Sequence, residues 1–215
     1  MALPHRPTIF TAMSARVDLF RLHAEEYATG RAPRVVTVGP ARFLALAGRG
    51  EPEGARFQDQ VQALQRVAGA LRAHIRRARG KDFKLPLLEV LWWDDPPLDP
   101  GGGCPADRHW KLLLRMPSFV RRVDIAGAAG DLGDPGALAH ESAVRLEDLK
   151  EGRCIQALHV GPWQSQAQTL ARMQRAAAEH GLAFHGRQHD VYLSDPQRVP
   201  GERRKTLLRR AVRAR

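Results

Sequence analysis

Cysteine is scarce in this chain. Cys104 and Cys154 are the only two in 215 residues, and they do not form a CxxC pair. No disulfide framework can be built from them, which removes the small secreted scaffolds from consideration. Long apolar runs are also missing, so no segment reads as a membrane-spanning helix. The first twenty residues carry Pro4, Arg6, Pro7, Arg16 and Asp18 and no continuous apolar stretch, so they do not read as a secretion signal. There is no HExxH. Gly48, Gly50 and Gly54 are not followed by the Lys-Ser/Thr of a phosphate loop, and Ser165 and Ser194 lack a nucleophile elbow. Cys104 lies in a glycine loop with no positioned base beside it. His185 and His189 are four apart, but Gly186 between them argues against a shared helix face, and no metal or organic cofactor is expected.

What is present is an ordinary globular composition, with 43% hydrophobic and 27% charged residues. The length suits one domain or two fused halves and can bury a real core. A cytoplasmic protein is the expectation. The net charge of +11 comes mainly from arginine, spread over Arg72, Arg76, Arg77 and Arg79, then Arg121 and Arg122, then Arg203 to Arg215. No helix-turn-helix, zinc-finger or RNP pattern accompanies them. Charge alone licenses only non-specific attraction to nucleic acid, so a solvated basic surface is the simpler reading.

The chain repeats one plan. Val35-Val36-Thr37-Val38-Gly39-Pro40 is followed by a helical stretch and then Glu89-Val90-Leu91-Trp92-Trp93-Asp94-Asp95-Pro96. Later, Ile155 to Pro162-Trp163 is followed by a shorter helical stretch and Asp190-Val191-Tyr192-Leu193-Ser194-Asp195-Pro196. Residues 1–30 read as a leader in which Val17, Leu19, Phe20 and Leu22 pack a short arm onto the domain. One domain then spans 31–212, made of repeats 31–120 and 143–212 joined by a Gly/Ala/Asp-rich linker over 121–142. Arg34 to Val38 reads as a strand continued by Arg42 to Ala47, with a turn at Gly48 to Pro52. Val61, Leu64, Ala68, Leu71 and Ile75 form one helical stripe that Gly80 ends. Leu88 to Trp93 and His109 to Met116 pair as a long-looped hairpin. In the second repeat the strand Arg153 to Val160 leads to a helix from Ser165 to His180. Strands Gln188 to Leu193 and Thr206 to Val212 close it. Two strand–helix–strand–strand units predict an α+β fold: an antiparallel sheet with helices on one face and a ligand cleft between the halves.

Alternation along the strands puts Glu89 with Trp93, and Asp190 with Tyr192. A carboxylate beside an aromatic on a half-buried strand is costly unless solvated or paired. It is therefore either a functional group or a partner for one of the arginines. The apparent equivalence of Glu89 and Asp190 predicts that a pseudo-two-fold axis brings both into one cleft. Trp92, Trp93, Trp110 and Trp163 fall near strand ends. At least one should be plain core, and Trp163, on the loop after Gly161-Pro162, is the best candidate for a ligand wall.

Seven separated segments, in order over residues 34–212, resemble the GyrI-like small-molecule-binding family in its stand-alone form. They are Phe43 to Pro52, Pro86 to Trp93, Trp110 to Val120, Glu151-Gly152, His159-Val160-Gly161-Pro162-Trp163, His189 to Pro196, and Lys205 to Arg209. The resemblance implies a duplicated fold with a ligand cleft. It also implies binding of hydrophobic or cationic aromatic compounds and, as in some members, hydrolysis of cyclopropanoid DNA-alkylating natural products as detoxification or self-resistance. Three positions depart from the family pattern. Trp163 stands where Tyr is usual and cannot donate a phenolic proton. Asp190 stands for Glu and is one methylene shorter. Gln65 and Gly69 stand where the first helix usually carries tyrosines.

On this reading Asp190, Glu89 and Tyr192 are the catalytic candidates: a carboxylate to activate water, and a phenol to donate to a developing enolate. Trp92, Trp93, Trp110, Trp163 and Phe43 are the ligand-contacting candidates. The same residues serve a rival function, a drug- or effector-sequestering protein whose carboxylate balances a ligand cation. A gyrase-interacting protein is a third reading, suggested by the family name alone.

Overall fold

A computed structural model of the chain describes residues 15–94, 108–129 and 138–215. Asp95-Pro96 and Cys104 lie outside the described residues. The strands are β1 (Arg34–Val38), β2 (Ala41–Gly50), β3 (Leu88–Trp93), β4 (Arg108–Met116), β5 (Arg145–Leu149), β6 (Gly152–Val160), β7 (Leu182–Tyr192) and β8 (Lys205–Ala214). They form one eight-stranded antiparallel sheet in the order β1-β6-β8-β7-β3-β4-β2-β5. From the central β3–β7 pair outward, each side runs through a hairpin partner, a long strand and a short edge strand. The duplication in the sequence is thus a two-fold symmetry of the sheet.

The edge strands are exchanged between the halves. β1 pairs with β6, and β5 pairs with β2. Arg34 to Ala47 is therefore two strands in different halves, not one interrupted strand. Pro40 has no N–H to give to a ladder, so the chain breaks there and crosses over. Gly48 to Gly50 belong to β2, not to a turn, because pairing with β4 continues to Gly50 opposite Arg108.

Helix α2 (Ala55–Arg79) lays Phe57, Val61, Leu64, Ala68, Leu71 and Ile75 on the sheet and stops at Gly80, whose φ of 64° suits glycine. Beneath it lie Leu44, Leu46, Val90, Trp92, Leu112 and Leu114. Helix α5 (Gln166–Glu179) lies on the same sheet face and buries Thr169, Met173 and Ala177, the last two over Ile155, Ala157, Leu208 and Val212. Each large aliphatic side chain so buried is worth about 1.5–3 kcal/mol. The two clusters are separate cores, with a seam between them over β3 and β7.

The segment expected to be a linker holds two short helices, α3 (Arg122–Ala129) and α4 (Leu138–Glu141). Ion pairs fix them to α2: Arg79–Asp124 and Arg66–Glu141, both at 2.6 Å. Gly127 sits against the His74 ring, where a Cβ would collide.

The other sheet face is partly covered by the N-terminal arm. Helix α1 (Leu19–Leu22) is capped by the Asp18 carboxylate, Val17 bridges to Phe83, and Leu19 and Tyr27 are buried. Phe20 rests 5.4 Å from the Tyr27 ring, whereas Leu22 points outward and stays exposed.

Candidate active site in the seam between the helices

Residues directly opposite each other in an antiparallel pair project to the same face. Val90 lies opposite Asp190, and Glu89 opposite Val191. Asp190 therefore faces the helices and Glu89 faces away from them. The expectation that both carboxylates enter one cleft is overturned, because the sheet itself stands between them. The register makes Glu89 and Asp190 inequivalent under the two-fold.

On the helix side, Asp190 is 2% exposed. Its oxygens accept from the Gln188 amide at 2.8 Å and from the Gln166 amide, in the first turn of α5, at 3.2 Å. Gln188 also donates to the Gln166 carbonyl at 3.1 Å. Burial pushes the Asp190 pKa above the ordinary carboxylate range, and the two amide bonds offset that only in part. Two of the cations nearby are committed elsewhere. Arg108 holds Asp94 at 2.9 Å, and Arg204 holds Glu53 at 3.1 Å. Arg210 projects to this face from opposite Gln188, and its buried Nε has no hydrogen-bond partner. Tyr192 lies on the same face, and burial, with the Asp190 charge, raises its pKa well above the ordinary phenol value. It therefore stays a proton donor. Trp92 forms the floor toward α2, buried and stacked on Phe57 at 5.4 Å. Trp163 is half-buried in the short 3₁₀ turn that leads into α5.

The remaining candidates lie elsewhere. Trp110 is core. It has no exposed surface, donates to Gln60 at 2.8 Å and meets Phe57 and Trp92 edge-on. Trp93 is on the far face, stacked on His109 and covered by the Arg187 guanidinium 3.7 Å from its ring centre. A bulge in β7 between His185 and Gln188 accompanies that placement. Phe43 is buried on the far face with Ala45, Leu91 and Leu113.

Glu89 belongs to a closed charge network on the far face. It accepts from the Tyr27 hydroxyl at 2.6 Å and meets His189 Nε2 at 3.0 Å. His189 Nδ1 meets Glu151 at 2.9 Å, and Glu151 meets Arg209 at 2.9 Å. The imidazole contacts are short but not aligned as hydrogen bonds, so they act as ion pairs. Arg209 also donates to Gln156 at 3.0 Å and to the Glu26 carbonyl at 2.6 Å, and Arg115 holds the Glu26 carboxylate at 2.7 Å. Burial opposes charge on His189, but Glu151 and Glu89 outweigh it and lift its pKa to about 9. Burial likewise opposes the Glu151 charge, and His189 and Arg209 bring its pKa down to about 2. Three carboxylates thus balance three cations. Tyr27 and Glu26 sit in the expected leader, and no local pattern marks them, because their partners are far away in sequence. Gln166, Gln188 and Arg210 carry no local signal either, since polar residues on amphipathic elements read as solvent-facing.

The GyrI-like small molecule binding domain matches residues 31–209. The chain belongs to the GyrI-like family. Among solved structures, an uncharacterized conserved protein from Listeria innocua is 29% identical with a TM-score of 0.83, over 92% of this chain and 100% of that one. A structure described as a hydrolase from Listeria innocua is 29% identical with a TM-score of 0.80, over the same shares. The EcmrR C-terminal domain shares the fold at 8% identity and a TM-score of 0.54, over 85% of this chain and 98% of that one. No curated protein sequence matches the chain. As a GyrI-like protein it carries a small-molecule-binding domain. Among the described residues, no group of three His, Cys, Asp or Glu side chains could hold a metal ion, and no helix is long and apolar enough to cross a membrane.

Proposed function

We propose that this GyrI-like protein is a hydrolase that takes planar hydrophobic molecules into the seam between α2 and α5 and adds water to the strained ring of cyclopropanoid alkylators. The observation that carries the reading is Asp190. It is a buried carboxylate with a raised pKa, held only by neutral amides whose places a water and a ligand can take. The hydrolase from Listeria innocua, at 29% identity over 92% of the chain, supports the reaction class. Glu89, already neutralised by His189 on the far face, has no part in it.

The chemistry needs little apparatus. Asp190 accepts a proton from water as the water oxygen bonds to the ring carbon. The cyclopropane C–C bond breaks, and its electron pair passes through the dienone to the carbonyl oxygen, which becomes a phenolate. Tyr192 and Arg210 on the same face can donate to that oxygen, and the Asp190 proton is returned to it. General-base assistance of this kind is worth about two to four orders of magnitude in rate. Trp92 and Trp163 supply apolar walls. Gln166 must swing aside to admit the ligand, since it bonds Asp190, which is only 2% exposed.

Incubating the purified protein with a cyclopropanoid compound should yield the water adduct, read by mass spectrometry. Tight binding with release of the compound unchanged would instead leave sequestration as the function.

A further inference from the structure

A second space lies away from the seam. A cavity of about 380 Å³ opens on the opposite sheet face, between the N-terminal arm and the ends of the central strands. That volume is in the range of small-ligand pockets. Its walls are apolar: Leu19 and Phe20 from the arm, Leu87 before β3, Leu158 from β6 and Leu193 after β7. The buried Tyr27 ring closes its inner side. Phe20 and Leu85, both lining it, remain 41% and 43% exposed, so apolar surface is left in water at this spot.

The charges at this cavity have one sign in excess. Lys84 and Lys205 both line it, against the single carboxylate of Asp18. Asp18 is already engaged: it caps α1 through the Phe20 and Arg21 amides and meets the Lys84 ammonium at 3.4 Å. Among the described residues no carboxylate reaches the Lys205 ammonium within ion-pair distance. An apolar chamber with an ammonium beside it that no described carboxylate neutralises matches an amphipathic monoanion, with the apolar body inside and the head group on Lys205.

We infer that this cavity is a second small-molecule site, separated from the seam by the sheet, that takes apolar or aromatic carboxylates and sulfonates. The site adds to the seam activity and does not depend on it. The arm supplies one whole wall, so ligand occupancy should hold the arm against the sheet.

The test uses the full chain and 8-anilinonaphthalene-1-sulfonate, with decanoate as competitor. The expected result is saturable fluorescence enhancement that decanoate reverses. Lys205→Glu and Leu158→Trp should each weaken the dye at least about tenfold with the melting temperature retained, while Asp190→Asn binds it as the parent does. The Lys205 change reverses the rim charge, and the Leu158 change fills the chamber. Dye fluorescence that decanoate still reverses in both variants, or its absence in the parent chain, would overturn the assignment. The cyclopropanoid water adduct is measured separately, so failure here leaves the seam reading untouched, and the reverse also holds.

Discussion

Glu89 and His189 meet at 3.0 Å across the two central strands, on the face turned away from the helices, and neither has more than 2% of its side chain exposed. One residue further along β7, Asp190 points to the other face and meets only amides. The middle of the sheet thus carries two carboxylates with opposite fates. One is neutralised in a closed network, and one is held by neutral amides alone.

The first consequence is a separation of phenotypes. Asp190→Asn keeps the shape and removes the base, so turnover of a cyclopropanoid should fall by about two to four orders of magnitude, with binding of a planar neutral ligand little changed. Glu89→Gln leaves His189 facing one carboxylate instead of two. It should cost stability, by about 3–5 kcal/mol if the network does not relax, and should reduce kcat far less than Asp190→Asn. Single-turnover rates and denaturant melts on both variants check this. Equal kcat losses would return Glu89 to the mechanism.

The network also fixes a pH window. A histidine whose pKa rises from 6.5 to about 9 on folding contributes stability fully below pH 6.5, and this is lost as pH climbs through 9. A glutamate whose pKa falls from 4.5 to about 2 contributes fully above pH 4.5, and this is lost as pH drops through 2. Melting temperature should therefore be highest between about pH 4.5 and 6.5 and should decline toward pH 9. His189→Asn should lower stability at pH 6 and flatten that alkaline decline. An unchanged alkaline limb in the variant would show that another group causes it.

Trp163 and Trp110 should behave oppositely. Trp163→Ala, at the half-buried entry to α5, should weaken ligand affinity more than it lowers the melting temperature. Trp110→Ala empties a fully enclosed site and should cost about 3–5 kcal/mol. Thermal melts beside ligand titrations decide it, and the reverse pattern would make Trp163 a packing residue.

Gly48 is a sharper probe of the same core. A Cβ there would run into Gln60 Oε1 and Trp110 Nε1, which are bonded to each other at 2.8 Å. Gly48→Ala should cost about 1–3 kcal/mol through overpacking and the displaced hydrogen bond. A melt within experimental error of the parent would mean that the indole and amide move aside freely.

Much of the fold was determined by the sequence alone. The stripe Val61 to Ile75, the stop at Gly80 and the alternation in Leu88 to Trp93 and Asp190 to Leu193 are local patterns, and local sterics and burial decide them. The duplicated α+β architecture follows from their order, and strand parity correctly paired Asp190 with Tyr192 and Glu89 with Trp93. Tertiary structure decided what parity cannot carry. Parity fixes faces within a strand, but only the register of β3 on β7 fixes the relation between two strands, and a shift of one residue reverses it. That register put Glu89 and Asp190 on opposite sides. The exchange of β1 and β5 between halves, and the meeting of Tyr27, Glu151 and Arg209 around His189, join residues up to 182 positions apart in the chain. Such contacts form because burying these charges is tolerable only together, and no stretch of the sequence read by itself carries that condition.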